Sequence, residues 1–229
     1  MFEERKINPE LLKQYREQGY WKNETLLDCW ERAAAQYPDR EYVVDDRGYR
    51  YTYRELDEAA GRVASYLMEL GIRPGEVVSY QFPIWSEFAM LTIACYKIGA
   101  VAHPIAMSYE EKELARSLNV TESRCYFGPT YFYKTDYEER ILAVRDQTPL
   151  LKDIVLIDSV KPAKSSVRLL REILASYEPL PKEQCVHTKN GQASSDLHVC
   201  AGELRRWRGT LLLYHVHRHR SHHALYRNA

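Results

Sequence analysis

The chain has 229 residues, enough to bury one large core or two small ones. Its 32 basic and 32 acidic side chains cancel, which removes a charge-based case for a nucleic-acid or membrane-surface partner. Five scattered cysteines (Cys29, Cys95, Cys125, Cys185, Cys200) form no CxxC pair, so neither a zinc site nor a disulfide framework is expected.

Residues 1–24 read as an N-terminal extension. Its start, MFEERKINPELLKQ, is charged and lacks the apolar stretch of a secretion signal. The longest apolar run, residues 88–96, is broken by Thr92 and is too short to span a bilayer, so a soluble cytoplasmic protein is expected. A folded domain is expected over 25–190. It opens with a helix over 25–36, where Leu26, Leu27, Trp30 and Ala33 recur on one face and Thr25 stands at the N-cap. EYVVDDRGYRYTY then predicts a hairpin, because Asp45-Asp46-Arg47-Gly48 is turn chemistry between two β-rich runs. Thr52 and Glu55 have capping-box spacing, in which each side chain satisfies a free backbone N–H at a helix start. The helix that follows carries Leu56, Ala59, Ala60, Val63, Leu67 and Leu70 as an apolar stripe and is closed by Gly71.

From there strands and helices alternate. Strands are expected over 77–82, 100–105, 124–127 and 153–157, and helices over 87–98, 108–118, 137–145 and 167–176. Ser108 and Glu111 are read as a second capping box. Short β-branched strands separated by helices of about ten residues require crossover connections, and so predict an α/β fold with a mostly parallel sheet and flanking helices. Asp136, Glu138 and Glu139 cluster where acids suit the dipole of a helix start and are not read as a catalytic pair. Trp85 and Phe88 are assigned to the core or a pocket wall.

The ten glycines supply neither GxGxxG nor GxxxxGK[ST], and no HExxH is present. By contrast, TYRELDEAAGRVASYLMELGIRPGEVVSYQFPIWSEFAMLTIACYKIGAVAHPI, residues 52–105, resembles the N-terminal part of the acyl-CoA synthetases and related adenylate-forming enzymes. The match comprises a Thr-Tyr-x-Glu-Leu helix, a Gly-Ile-x-x-Gly turn, a Pro-x-x-x-Glu-Phe segment and a Gly-Ala-Val-x-x-Pro strand. Glu76 and Ile84 stand where that family often has Asp and Asn. Together these pieces extend the likeness over about residues 26–181, and the wording around 78–88 leans toward the branch acting on medium-chain, cyclic or aryl acids. The resemblance implies a parent activity in which a carboxylic acid and ATP give an acyl-adenylate and then an acyl-CoA, with ATP, Mg and CoA as cofactors and a small carboxylic acid as the partner molecule. It also implies a Thr-Ser-Gly-Thr-Thr-Gly-like phosphate loop, a Tyr-Gly-x-Thr-Glu motif, a ribose-binding Asp and a lysine on a C-terminal domain. None of these four has a counterpart here. The expectation is therefore a truncated N-terminal part of an acid–CoA ligase, inactive as written and holding no cofactor of its own. A non-catalytic binding module on the same scaffold, or part of an adenylating enzyme outside CoA chemistry, stays open. His103, in AVAHPI, is the single candidate for contact with the acid, because strand ends after βα units are where such sheets bind ligands. A structural histidine before a proline is the competing reading.

Composition changes near residue 190. Seven of the eight histidines follow Val186, no Lys follows Lys189, and six Arg fall between Arg205 and Arg227. HVHRHRSHH invites a metal reading, and the arginines a nucleic-acid one. The reading preferred is that 191–229 is an irregular tail translated out of frame. Read one base later, 214–220 permits Thr-Thr-Ser-Thr-Gly-Thr, close to the missing phosphate loop.

Overall fold

The computed structural model describes residues 8–20 and 24–187. The His/Arg-rich segment 191–229, with its out-of-frame and metal readings, lies outside the described residues.

Within the extension, Pro9–Glu17 form helix α1, with Pro at its first position and Asn8 Oδ1 accepting from Glu10 N at 3.0 Å. Helix α2 (Leu26–Gln36) begins as expected at Thr25. Thr25 Oγ1 accepts from Asp28 N at 3.1 Å, and the Asp28 carboxylate accepts from Thr25 N at 2.7 Å. Strands β1 (Glu41–Val44) and β2 (Arg50–Thr52) make the antiparallel hairpin, with Gly48 at φ 87° in its turn, a value an L side chain rarely adopts. Helix α3 (Tyr53–Glu69) starts on the Thr52/Glu55 capping box, and its stripe of Leu56, Ala60, Val63 and Leu67 is completely buried.

Strands β3 (Val77–Tyr80), β4 (Val101–Pro104), β5 (Cys125–Pro129), β8 (Asp153–Ile157) and β9 (Arg168–Leu169) form one parallel sheet in the order β4-β3-β5-β8-β9. Helices α4 (Ser86–Ile98), α5 (Glu111–Val120) and α6 (Tyr137–Val144) lie in the crossovers up to β8, the loop 158–167 joins β8 to β9, and helix α7 (Leu170–Ser176) follows β9; β6 (Tyr131–Phe132) and β7 (Thr135–Asp136) form a small hairpin after β5. Side chains alternate across a strand, so the central strands β5 and β8 feed a core on each face. Val78, Tyr80, Cys125, Phe127, Val155 and Ile157 pack with α2, α3, α4 and α7. Tyr126, Ile154, Leu156 and Leu169 pack with α5 and α6 on the other face. The outcome is the expected α/β architecture, with helices on both faces of the sheet.

Three local expectations are corrected. The segment 167–176 is not one helix: Arg168 and Leu169 pair with β8, and only then does α7 begin, with Glu172 accepting from Leu169 N at 3.0 Å. The Ser108/Glu111 capping box does not form, because α5 starts two residues later than that box requires and is entered from Glu110 without a side-chain cap. The first two sheet strands also end sooner than expected, at Tyr80 and Pro104.

Beyond α7 the chain runs back as a strap over α3 and α4 toward α2. Leu180 N donates to Gly61 O at 3.1 Å, Ser65 Oγ to Glu178 O at 2.8 Å, and Val186 N to Lys97 O at 2.8 Å. His187 Nδ1 ends the strap 3.0 Å from Asp28 Oδ1. Gly61 permits this approach: a Cβ there would lie 3.0 Å from Pro179 Cβ and 3.2 Å from Leu180 N.

Candidate functional site

In a parallel α/β sheet the loops after the strands are where a ligand is expected. Here those loops are largely occupied with one another. Gln81, fully buried just past β3, accepts from Tyr126 Oη of β5 at 2.9 Å and donates to Ala106 O in the loop after β4 at 2.7 Å, so its amide ties the end of β3 to both neighbours. Tyr137 Oη donates to Met107 O at 2.9 Å, and Thr130 Oγ1 to Lys161 O at 2.6 Å. Glu138, one of the acids assigned to the helix start, instead turns its carboxylate onto the β8–β9 loop. It accepts from Lys164 N at 2.9 Å and Ser165 N at 2.7 Å. Asp136 does serve the helix, accepting from Glu139 N at 2.9 Å. A shallow depression of about 510 Å³ beside Glu138, Leu142 and Lys164 is too open to enclose an apolar acid.

Trp85 is buried, as expected, and meets Phe132 edge-on at 5.5 Å, while Phe88 meets Tyr80 at 5.1 Å. The Arg47 guanidinium lies 3.9 Å from the Trp85 ring centre and pairs with Asp45 at 2.7 Å and with Glu87. Asp45 also accepts from Ser86 N at 3.3 Å and Ser86 Oγ at 3.0 Å, which places a carboxylate at the start of α4. Arg47 Nε and Trp85 Nε1 are buried without a partner among the described residues, yet two carboxylates flank them. Burial pushes the Asp45 carboxyl up, but hydrogen bonds and charge from Arg47 and Ser86 outweigh it and hold it below the usual carboxylate range. The unfolded chain therefore binds this proton more tightly than the folded one. Its contribution is fully present above the unfolded value of about 3.9 and is lost as pH falls through the lower folded value. The expected result is that the urea-midpoint difference between wild type and Asp45→Asn is constant from neutral pH to about pH 5 and narrows below about pH 4. A difference that stays constant to pH 2 would contradict the assignment.

His103 is the third residue of β4, the outer strand of the sheet, and is in register with Ser79 of β3. Its ring is partly exposed, and Nδ1 lies 2.8 Å from Ser79 Oγ. Ser79 Oγ also meets Ser123 Oγ, which is 2.8 Å from Thr121 Oγ1. His103 is thus brought to a line of three hydroxyls, and none of the partners was evident from the sequence. They lie 18 to 24 positions away, and only the β3–β4–β5 register gathers them. Of the thiols, burial pushes Cys95 up to about 12, too high for a nucleophile at neutral pH.

A triphosphate needs backbone N–H donors and cations directed at it. The start of α4 carries Asp45 and Glu87 instead, and the loop donors described above are already paired. The described residues do not fit the nucleotide.

An α/β sheet flanked by helices on both faces, with the TYREL and GAVAHP segments at the start of α3 and in β4, is the amino-terminal scaffold of an adenylate-forming ligase. The chain belongs to the AMP-binding enzyme family, whose model matches residues 30–196. It is 40% identical over 173 residues to the medium-chain fatty-acid–CoA ligase of Escherichia coli K12, covering 76% of this chain and 30% of that one. With the 2,3-dihydroxybenzoate-AMP ligase of Bacillus subtilis 168 it shares 31% identity over 147 residues, 64% of this chain and 27% of the relative. The apo structure of MbtA from Mycobacterium smegmatis superposes with a TM-score of 0.64 at 26% identity, covering 76% of this chain and 32% of that one. The chain thus spans about a third or less of the length of these relatives.

Proposed function

We propose that this polypeptide carries the N-terminal scaffold of an ATP-dependent carboxylic acid–CoA ligase and does not adenylate an acid by itself. The observation that carries this reading is the occupied start of α4: Asp45 and Glu87 stand where an anion cradle would need free donors. Absence of the phosphate loop from the 229 residues supports it. A CoA acceptor and a medium-chain acid are favoured by the 40% identity to the E. coli ligase. The similarity to an AMP ligase keeps a non-CoA acceptor as the second reading. His103 is proposed as this segment's contact to the acid, supported by its partly exposed place on the outer strand. The tail 191–229 is proposed to be out of frame, supported by its change of composition and by a family match that reaches only residue 196.

The purified 229-residue chain is expected to give no ATP–pyrophosphate exchange above blank with octanoate, benzoate or 2,3-dihydroxybenzoate. Acid-dependent exchange that scales with protein and is lost on boiling would overturn the proposal.

A further inference from the structure

The strap ends between two carboxylates of α2. His187 Nδ1 lies 3.0 Å from Asp28 Oδ1, and Nε2 lies 3.8 Å from Glu31 Oε2. Asp28 and Glu31 are three positions apart on α2, so one face of the helix presents both. The two contacts are unequal. The first has hydrogen-bond length, and the second is too long for one. Glu31 Oε1 is buried with no hydrogen-bond partner among the described residues, so this carboxylate is short of donors. A neutral imidazole carries one N–H and one lone pair. With its N–H directed at Asp28, the lone pair on Nε2 faces Glu31, acceptor against acceptor. Only the cationic ring donates to both at once.

We propose that His187 is a proton-operated latch: the cationic ring fastens the end of the strap to both Asp28 and Glu31, and the neutral ring leaves it held by Asp28 alone. The other charges around the strap do not take over this role. Lys97 of α4 gives its carbonyl to Val186 N, while its ammonium is paired with Asp57 of α3 at 2.8 Å. Arg32 of α2 is paired with Glu24 at 2.8 Å. On the strap itself, Lys182 and Glu183 are of opposite sign in one short turn, and burial pushes the Cys185 thiol up, which keeps it neutral. Hydrogen bonds from Thr25 N and Oγ1 hold the Asp28 carboxyl below the usual carboxylate range, so it stays charged wherever an imidazole titrates. The closed end therefore takes up a proton more readily than the open one. By linkage, fastening is strongest below about pH 6 and weakens as the pH rises toward about 8. Residues 188–229 join the scaffold at His187, so the latch sets how firmly the chain is anchored at that junction.

Amide exchange of the full chain tests this, with each rate divided by that of the unstructured peptide so that the intrinsic pH dependence of exchange drops out. Val186 N–H, bonded to Lys97 O, reports the end of the strap; Leu180 N–H, bonded to Gly61 O, reports its middle; Val78 in β3 reports the sheet. In wild type the protection of Val186 is expected to fall at least about threefold between about pH 5.5 and about pH 8, with Leu180 and Val78 unchanged. His187→Gln keeps a side-chain N–H for Asp28 but cannot become a cation, and is expected to abolish the dependence. Glu31→Gln leaves Asp28 and its cap in place and is expected to remove most of it, because the new amide can donate to the neutral ring. Equal protection of Val186 at both pH values in wild type overturns the proposal without any variant. A dependence that survives in His187→Gln, or undiminished in Glu31→Gln, overturns it too. So does one shared by Leu180 and Val78, which would belong to the fold as a whole and not to the latch.

Discussion

Asp57→Ala is expected to lower the stability of the folded domain by about 3–5 kcal/mol, the usual consequence of stranding a buried charge. Lys97 lies in the last turn of α4 with only 2% of its side chain exposed, and its Nζ sits 2.8 Å from Asp57 Oδ1 on α3. The same oxygen accepts from Trp30 Nε1 at 2.6 Å, so one carboxylate ties α2, α3 and α4 together. Removing it leaves an ammonium and an indole N–H without this acceptor beneath the strap. The partners are not equivalent. Asp57 is 23% exposed and can turn to water if Lys97 is lost, whereas Lys97 has no such exit. Lys97→Met should therefore cost about 1–2 kcal/mol, and the double variant should recover part of what Asp57→Ala loses. With total stabilities of about 5–15 kcal/mol usual for a domain, Asp57→Ala alone would bring the chain close to unfolding. Urea midpoints with unchanged slopes measure all three. A loss under about 1 kcal/mol for Asp57→Ala, or a larger one for Lys97→Met, would refute this account.

How much of this could be read from residues follows a simple division. Features settled within a few positions were legible. The Thr52/Glu55 box, the turn at Gly48 and the apolar stripe of α3 each need only the local chain, and each forms as read. The alternation of short strands and helices likewise fixed a parallel sheet, because no other connection of that length is sterically available. Features that depend on what packs alongside were not legible. Ser108 and Glu111 have capping-box spacing, but the loop leaving β4 brings the helix start to Glu110 instead. β9 is two residues long and owes its extended form to pairing with β8, so its own sequence reads as the first turn of α7. At the site the same division holds. His103 was visible as a residue, and family resemblance located its strand. Its neighbours Ser79, Ser123 and Thr121 became visible only through register. Glu138 shows the limit most plainly. Its place at a helix start was correct, yet its carboxylate is used 26 and 27 residues further on.

That use makes Glu138→Ala the second large effect expected. The carboxylate is almost wholly buried and accepts three hydrogen bonds, from Lys164 N, Ser165 N and Ser165 Oγ. No nearby backbone group replaces them, because the loop 158–167 lies outside regular structure. Hydrogen bonds to a charged acceptor contribute about 1.5–3 kcal/mol each, but the loop can partly peel into water, so a net loss of about 2–4 kcal/mol is expected. The loss should be local first. β9 is only two residues long and is held by the loop before it and α7 after it, so it should open before the central strands. Amide exchange at Lys164, Ser165 and Leu169 is then expected to accelerate by at least tenfold, while Val78 and Phe127 in β3 and β5 keep wild-type protection. Glu138→Gln should fall between the two, since its amide keeps one acceptor but turns an N–H₂ toward the loop's donors. If the central strands lose protection together with the loop, Glu138 supports the whole fold rather than its outer strand. If neither changes, the carboxylate is not what holds the crossover, and the depression beside Lys164 would have to be explained without it.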